Sequence, residues 1–530
     1  MPYQQDIRPE TWYNRCKEKG GRARKTLHPE GTMYKRKLNQ VSVFDNPAMF
    51  GGIALNPENE WVKLAGIIPW WVFEKKYAEQ FPSKTGQPAC SVRQALGSQI
   101  IKEKYQFSDE MTVAHIAMNP YLQYFIGLTE YRQTAPFDPS MMSRFRQRLT
   151  PEMLQDVNDV ISGRKTAEQI LDEADKHDDG NDPPGGNSAG NGNEGGQSEA
   201  KDERNEGTLI LDATCAPQAI RFPTDTSLLN EARQNTEGII DSLHAAGLTD
   251  GRKPRTYRVV AKKQYNGFSK SRRKTNRSIR NARKQQLNFL RRNLKHIDTV
   301  IQNHPDEWEK ALTRWQCERL TVIRLLYAQQ REMYESGSTR IDDRIVSLSQ
   351  PWVRPIVRGK QNAPVEFGAK VGMSDIDGFL RIEYLSWDAF NECLTLRDSV
   401  EAYRKAYGHY PERVLADTIY RTRDNLRYCK EHDIHLNGPR LGKPPKDPAV
   451  RKQELQLEWQ ESGERGDIER RFGIGKRCYS LGRITAKLKH TSEIMIHMSV
   501  LTLNLQKRLR LLLRIFFAYL RRFQIVWSCA

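Results

Sequence analysis

Two short apolar runs, each followed by an aspartate, stand out in the hydrophobic pattern of the chain. Leu209 and Leu211 alternate with other residues, which predicts a short buried strand with Asp212 on its opposite face, at the strand's carboxyl end. The run Arg413–Ala416 predicts a second strand, and Asp417 follows it directly. Ligands of α/β sheets gather at the carboxyl ends of strands. The pattern therefore predicts an α/β protein in which two strands each deliver one acid.

A third acid lies in a stretch with helical spacing. At about 100° per residue, Arg465, Glu469 and Lys476 fall within about 40° of one another on a helix. One helix face would then present an arginine, a glutamate and a lysine, although Gly473 and Gly475 weaken the helix propensity. Each residue also has an ordinary explanation when considered alone. An aspartate after a strand is usually a turn or cap residue, and charges on one helix face usually form weak ion pairs.

A region of largely helical pattern, residues 40–175, follows a tail of residues 1–39 and precedes the first strand. Within it, residues 92–107 and 140–149 carry apolar side chains at helical spacing. Arg144 and Arg148 lie on a basic edge of the second of these helices, which makes them candidate phosphate contacts. The pattern predicts a helical N-terminal domain.

Composition marks two further segments. Residues 176–207 consist mainly of Gly, Asn, Asp and Glu, so they cannot bury a core and are predicted to be a disordered acidic linker. Residues 491–530 are apolar but interrupted by arginines, so no run reaches the roughly 20 apolar residues of a membrane span. This segment predicts a basic amphipathic helix that packs on the core or on a partner, with no membrane span.

The spacing between the acids predicts an insertion. The first two acids are separated by 204 residues, whereas only 51 separate the second from the third. Long helical patterns at residues 271–296 and 305–335 fill the longer gap, and Pro305 suits the first turn of a helix. These patterns predict a helical insertion at about residues 228–350, which either grips DNA or a partner subunit or serves as a structural brace.

The charge of the chain indicates a polyanionic partner. The formal net charge is +19 and the pI is near 9.5. Residues 252–295 contain 17 Lys or Arg and no Asp or Glu, with tyrosines and phenylalanines interleaved. Such a region predicts strong, salt-dependent DNA affinity without sequence specificity, and a solvated basic helix face is the alternative. The candidate phosphate contacts here are Arg272, Arg273, Lys274 and Arg277.

The cysteines exclude one class of site. Eight cysteines are scattered along the chain without a Cys-x-x-Cys pair or ordered histidine partners, which argues against a zinc module. This usage favours a reduced, cytoplasmic location over a disulfide framework. The first 25 residues are polar and charged, so no cleavable signal peptide is expected.

Together these blocks resemble a bacterial insertion-sequence transposase of the DDE class, in the InsH-like branch. Asp212 lies in a Leu-Asp-Ala-Thr block similar to the family's first catalytic block, and Asp417 matches the second acid. The last block carries the family's Tyr, Arg, Glu, Lys signature at Arg465, Glu469 and Lys476, with Ser462 in place of the tyrosine. Further similar stretches are residues 44–47, 68–70, 119–125, 136–140, 222–225, 367–370 and 377–378.

The resemblance implies an α/β fold with a ribonuclease-H-like catalytic core at residues 208–490. It implies a helical N-terminal domain that recognises DNA ends, and a helical insertion between the first and second catalytic Asp. A helical domain that only braces the core is the alternative for residues 40–175.

The resemblance also implies the chemistry. Asp212, Asp417 and Glu469 would be catalytic and would bind two Mg²⁺ ions, for which Mn²⁺ can substitute. Carboxylate oxygens suit Mg²⁺, and two ions about 3.5–4 Å apart can activate an attacking oxygen and stabilise a leaving one. Water would nick the transposon end, and the freed 3′-hydroxyl would attack target DNA. Arg465 and Lys476 would contact phosphates beside the metals.

The implied partners are double-stranded DNA, as inverted-repeat ends and as target, and a second copy of the chain in a DNA-bound homodimer. The implied location is the bacterial cytoplasm, in association with the nucleoid. Two alternatives stay open: a catalytically inactive or repurposed DNA-binding protein, and a metal-dependent structure-specific nuclease. The presence of all three acids together with Arg465 and Lys476 favours the enzyme, because nonspecific binding needs none of that spacing.

Overall fold

The computed structural model describes residues 50–81, 88–176, 204–249, 251–357, 365–439, 442 and 447–528. The predicted tail, the block at residues 44–47 and most of the predicted acidic linker lie outside the described residues. The described chain is a mixed α/β protein with a helical N-terminal region and a mixed six-stranded sheet.

The described N-terminal region contains eight α-helices around one apolar core. Ser91 begins the third helix with a reciprocal capping box to Gln94, which satisfies backbone N–H groups that the first turn leaves unpaired. Phe73, Leu96 and Phe125 are fully buried at its centre. The helices are α1 (Glu60–Ile67), α2 (Glu74–Ala78), α3 (Val92–Tyr105), α4 (Asp109–Met118), α5 (Pro120–Phe125), α6 (Ser140–Arg148), α7 (Pro151–Ser162) and α8 (Ala167–Lys176).

The sheet combines antiparallel and parallel strands. Its strands are β1 (Thr208–Pro217), β2 (Arg354–Val357), β3 (Val365–Ile376), β4 (Phe379–Ser386), β5 (Arg413–Ala416) and β6 (His435–Leu436). β3 pairs antiparallel with β1, β2 and β4, whereas β5 pairs parallel with β1 and with β6. β1 is therefore the strand at which the antiparallel part meets the parallel part.

β1 is longer than the sequence pattern predicts, and this corrects the position of Asp212. The predicted strand ends at Asp212, but the observed strand continues to Pro217 because its second half pairs with β3. The parallel pairing with β5 stops at Leu211, opposite Ala416. Asp212 thus lies in the middle of β1, but it follows directly on the last rung that β1 shares with β5.

Five described helices lie between β1 and β2 and form the insertion. They are α9 (Asp225–Ala245), α10 (Arg258–Lys270), α11 (Asn276–Asn303), α12 (Trp308–Ala311) and α13 (Arg314–Ser336). Leu229, Leu290 and Ile323 meet in their core, which is separate from the N-terminal core. The longer gap between the acids is therefore filled by a helical unit with its own apolar interior.

The predicted helix at residues 305–335 is wrong in its first third. Pro305 lies in a turn, not in a first helical turn. α13 instead begins after Thr313, whose side chain forms a capping box with Gln316. Leu312 and Thr313 both have extended backbones, so α12 ends before α13 begins and the helical pattern is divided into two helices.

Four helices follow the insertion: α14 (Leu396–Tyr407), α15 (Arg423–Glu431), α16 (Pro448–Cys478) and α17 (Lys489–Ser528). α17 joins the two main cores, since Met498 and Leu501 pack in the N-terminal core and Met495 packs in the sheet core. Asn504 donates hydrogen bonds to Asn158 Oδ1 (2.7 Å) and to the carbonyl of Leu380 (2.6 Å). Among the described residues, no helix is long and apolar enough to span a membrane.

We expect Gly368→Ala to destabilise the fold. A Cβ at this position in β3 would lie 2.1 Å from the carbonyl oxygen of Ala216, so β1 and β3 would have to separate. Overpacking of this kind costs about 1–3 kcal/mol. The midpoint of urea denaturation should fall accordingly.

Gly238→Ala is the matched control. A Cβ at Gly238, within α9, meets no atom within 4 Å. Alanine should therefore stabilise the helix by about 0.5–1 kcal/mol. Equal denaturation midpoints for the two variants would contradict the close β1–β3 approach.

Candidate active site

The first two candidate acids lie on neighbouring strands, and the third lies on a helix that covers them. Met373, directly opposite Asp212 in the β1–β3 pairing, packs in one apolar cluster with Ile468 and Phe472 of α16. Residues directly opposite each other in a sheet share a face. Asp212 therefore points to the face that α16 covers, and Glu469 follows directly on the buried Ile468.

Polar contacts fix α16 along its length. Glu461 is almost fully buried, and its Oε1 atom lies 2.7 Å from His435 Nε2 of β6. Glu464 pairs with Arg413 of β5 at 3.1 Å. Near the other end of the helix, Arg471 pairs with the buried Asp375 of β3. These contacts hold the helix in one register against both β5 and β3.

Arg465 lies between the first and third acids. Its Nη1 atom is 3.2 Å from Glu469 Oε1 and 3.9 Å from Asp212 Oδ2. The structure thus brings Asp212, Arg465 and Glu469 together, as the predicted site requires of these three residues. The side chain of Arg465 is 22% exposed, so its charge acts in a partly desolvated setting.

Asp212 has a strongly perturbed acidity. Burial raises the pKa of its carboxyl group to about 6, and the negative charges of Glu392 and Glu469 act in the same direction. The backbone N–H of Ala213, 2.8 Å from Oδ1, and the charge of Arg465 oppose this shift. Burial is thus the main reason that the ionised form of this carboxyl group is disfavoured, and a bound cation would offset that cost.

Asp417 is exposed, and its orientation is fixed locally. Its Oδ1 atom accepts a hydrogen bond of 2.7 Å from the backbone N–H of Thr418, so it caps the short 3₁₀ turn Thr418–Tyr420. It follows the last residue of β5, as Asp212 follows the last β1 residue paired with β5. Two carboxylates thus stand at equivalent positions of adjacent parallel strands.

The donor set fits a hard divalent cation in its chemistry. Three carboxylates from different elements could provide oxygen ligands, which are the type that Mg²⁺ prefers. Within the part of the chain that the structure describes, no three His, Cys, Asp or Glu side chains are close enough to hold a metal ion. Arg465 would compete with such an ion for the oxygens of Asp212 and Glu469.

The other two signature positions lie on the same helix. Lys476 is half-buried, seven residues beyond Glu469 and about 10 Å further along the axis. Ser462, which replaces the signature tyrosine, is exposed and lies seven residues, or about two helical turns, before Glu469. The helix therefore offers a small hydroxyl where the family has an aromatic ring.

The predicted phosphate contacts divide into two groups. Arg272, Arg273, Lys274 and Arg277 are all exposed, in the turn before α11 and in its first turn. In α6, Arg144 is exposed, but Arg148 is half-buried with its guanidinium 4.2 Å from the centre of the Phe81 ring. Much of the basic edge of α6 thus has a structural role within the N-terminal core.

Glu392 lies close enough to Asp212 to raise its pKa, and the sequence does not predict this residue as part of the site. It lies between β4 and α14 and pairs with Lys370 of β3 at 2.8 Å. Its charge raises the pKa of Asp212 and also that of the buried Tyr420. No motif marks Glu392, because only the fold brings it near the first acid.

Comparisons with known families agree with the predicted resemblance. A family model described as a transposase DDE domain matches residues 414–506, a span that contains Asp417 and Glu469 but not Asp212. A second model, described as a transposase domain (DUF772), matches residues 53–148. The resemblance to DDE transposases is confirmed. The matches link the chain to transposition by insertion sequences.

One curated relative gives no further information on activity. It is described as the uncharacterized protein ORF8 in the nfe locus of Rhizobium meliloti, and it is 35% identical over 103 residues. The match covers 19% of this chain and 49% of the relative, so the chain spans about half of the relative's length. No solved structure matches the chain.

We expect Asp212→Asn to stabilise the protein above pH 6 in metal-free buffer. The folded-state pKa is raised from 3.8 to about 6, so the ionised carboxylate costs stability as pH rises through this window. Removing the charge should recover up to about 3 kcal/mol at pH 7 and little near pH 4. Urea denaturation measured across this pH range tests the difference.

Asp424→Asn is the control, because the Asp424 side chain is 72% exposed. It should change stability by less than about 0.5 kcal/mol at every pH. A pH-independent effect of Asp212→Asn would mean that burial of the charge does not set the acidity of this carboxyl group.

Proposed function

We propose that the chain is a DDE transposase that binds the ends of its insertion sequence and catalyses DNA cleavage and strand transfer. The observation that carries this proposal is the placement of the three acids. Asp212 and Asp417 follow the last rung of two parallel strands, and Glu469 lies on the helix that covers the same sheet face. The two transposase-domain matches support the same conclusion.

The proposal includes a ribonuclease-H-like catalytic core. Its support is the mixed sheet, in which β1 pairs antiparallel with β3 on one side and parallel with β5 on the other. In such a sheet the first two acids follow neighbouring strands, although 204 residues separate them in sequence. The helical insertion between β1 and β2 leaves this arrangement intact.

Asp212, Asp417 and Glu469 would hold two Mg²⁺ ions, for which Mn²⁺ can substitute. When bound, two such ions lower the barrier to in-line displacement at phosphorus by polarising the attacking and leaving oxygens. The protein's part is to supply oxygen ligands from three separately fixed elements. Burial raises the pKa of Asp212, so ionising this carboxyl group is costly, and a bound cation would offset that cost.

Arg465 and Lys476 would bind the DNA backbone beside the acids. A guanidinium can bind a phosphate through two parallel hydrogen bonds, whereas an ammonium acts as a compact charge. Arg465 already lies against Asp212 and Glu469, so a phosphate held by it would be adjacent to the acids. Lys476 would contact a phosphate further along the same helix face.

The proposed reaction has two steps of one chemical type. In the first, water displaces the 3′ oxygen at the phosphate of the element's end and leaves a free 3′-hydroxyl. In the second, this hydroxyl attacks a phosphate of target DNA, forms a new phosphodiester bond and displaces the 3′ oxygen of the target strand as a free hydroxyl. The exposed cations of residues 252–295 would hold the duplex while both steps proceed, and their affinity should fall steeply with salt.

Asp212→Ala, Asp417→Ala and Glu469→Ala should each abolish Mg²⁺-dependent cleavage of a duplex that carries the element's end. The expected loss is at least roughly 10²- to 10³-fold, the range for removal of one electrostatic stabiliser. DNA binding, measured by mobility shift, should stay near the wild-type level. Gel analysis of labelled strands provides the measurement.

Asp467→Ala is the control for this series. Asp467 lies on the same helix two residues before Glu469 and pairs with Arg470. Because it faces away from Asp212, its loss should leave cleavage unchanged. Robust cleavage by any of the three acid variants would contradict the site assignment.

A pre-nicked duplex end separates the transposase from its two alternatives. The wild-type chain with Mg²⁺ should join the supplied 3′-hydroxyl to target DNA, because the second step needs no prior hydrolysis. Hydrolysis without joining would indicate a nuclease. Binding without either reaction would indicate a DNA-binding protein that has lost catalysis.

A further inference from the structure

Helix α10 has two distinct faces. Ala261 is fully buried, and Tyr265 and Phe268 are half-buried, so these positions face the neighbouring helices α9 and α11. At about 100° per residue they fall within about 60° of arc. The opposite side of the helix is therefore free to meet another molecule.

The outer face of α10 is a continuous exposed stripe. Its members are all exposed, and none of them makes a side-chain hydrogen bond or ion pair with another described residue. They fall within about 100° of arc on a helix. They are Val259, Lys262, Lys263, Asn266 and Lys270.

The charge around this stripe fits one kind of partner. Residues 252–295 contain 17 basic residues and no acid, so the stripe has no acidic neighbour in sequence. Only Lys253, Arg258 and Arg283 of this segment pair with carboxylates within the described residues. A polyanion is the partner that such a surface complements.

We infer that α10 lies in the major groove of DNA and reads base edges through its exposed stripe. This inference rests on the proposed function and adds a second, sequence-reading contact to it. The major groove is about 12 Å wide and admits an α-helix. From Val259 to Lys270 the helix is about 16 Å long, which corresponds to about five base-pair steps of ~3.4 Å.

The residue types of the stripe match the chemistry of base edges. Asparagine can bind adenine through two hydrogen bonds, and lysine donates to the acceptors of guanine. An apolar side chain can contact the methyl group of thymine. Val259 is 78% exposed, so its side chain is available for such a contact. The stripe thus presents donors, an acceptor and an apolar group to one groove.

Other contacts hold α10 rigidly at its start. Arg258 donates two hydrogen bonds to Asp241 of α9, at 3.0 and 2.6 Å. The guanidinium of Arg292 in α11 lies 4.5 Å from the centre of the Tyr257 ring. A helix with a fixed register can discriminate bases, because its side chains meet the same groove positions in every complex.

The turn after α10 is placed to contact phosphates. Arg272, Arg273 and Lys274 are exposed directly beyond its last residue, and Lys274 lies 5.3 Å from the centre of the Phe268 ring. Backbone contacts orient a protein on the duplex, and base contacts provide specificity. The turn would therefore contact the DNA backbone, and the stripe would contact the bases.

The N-terminal helix α6 offers a weaker surface for base reading. Arg146 is bound by Asp109 through two hydrogen bonds of 2.9 and 2.6 Å, and Arg148 packs on Phe81. Their charges are thus used within the N-terminal core, whereas Lys262, Lys263 and Lys270 of α10 make no ion pair with the described residues.

Binding-site selection with the full-length chain tests the inference. The probe is a pool of duplexes with a randomised central segment, sequenced after repeated selection by the wild-type chain and by its variants. For Asn266→Ala we expect the preference at one or two adjacent positions to disappear. Affinity for the wild-type consensus should fall roughly 10- to 100-fold, with unchanged affinity for a scrambled duplex. Asn266→Gln should recover part of the preference.

Lys274→Ala is the matched control. It should weaken binding to consensus and scrambled duplexes equally and reduce the salt dependence of affinity by about one unit of slope. An equal effect of Asn266→Ala on both duplexes would overturn the inference, as would an unchanged consensus. The cleavage assay on the same variants is independent of this result. If the Asn266→Ala variant cleaves DNA with Mg²⁺ and still selects the wild-type consensus, base reading by α10 is refuted but the transposase function is not.

Discussion

The arrangement of the site depends on the need to offset negative charge around one buried carboxylate. Asp212 is largely withdrawn from water, and Glu469 and Glu392 add further negative charge around it. Within the described residues, Arg465 is the cation that lies directly against Asp212. Burial is the largest cause of the raised pKa of Asp212, the two glutamates add to it, and Arg465 opposes it. Divalent cations and the phosphates that accompany them would complete this balance.

Two long helices, α16 and α17, connect the site to the apolar cores of the protein. α16 spans the site, with Ile468 and Phe472 in the sheet core and ion pairs to β3, β5 and β6 along its length. α17 inserts Met498 into the N-terminal core and Met495 into the sheet core. The N-terminal helices therefore pack with the sheet through this one helix.

The cations of the chain serve two purposes that composition alone does not distinguish. In α6, Arg146 and Arg148 stabilise the N-terminal core through Asp109 and Phe81. In the insertion, most basic side chains are exposed and have no acidic partner among the described residues, so the cost of their mutual repulsion is relieved only by an anion. Much of the positive charge that is available to an anionic partner therefore lies on the insertion, although the net charge of +19 belongs to the whole chain.

The sequence by itself determined the local features. It predicted the strand before Asp417, the helix face of Arg465 and Glu469 and the helical insertion, because periodicity and capping act over a few residues. Only the tertiary structure decided that β1 continues beyond Asp212, since that extension depends on pairing with β3. It also decided that Arg465 reaches Asp212 and that Glu392 acts on the site. Such contacts join residues far apart in sequence, and their geometry is set by packing, which no local pattern encodes.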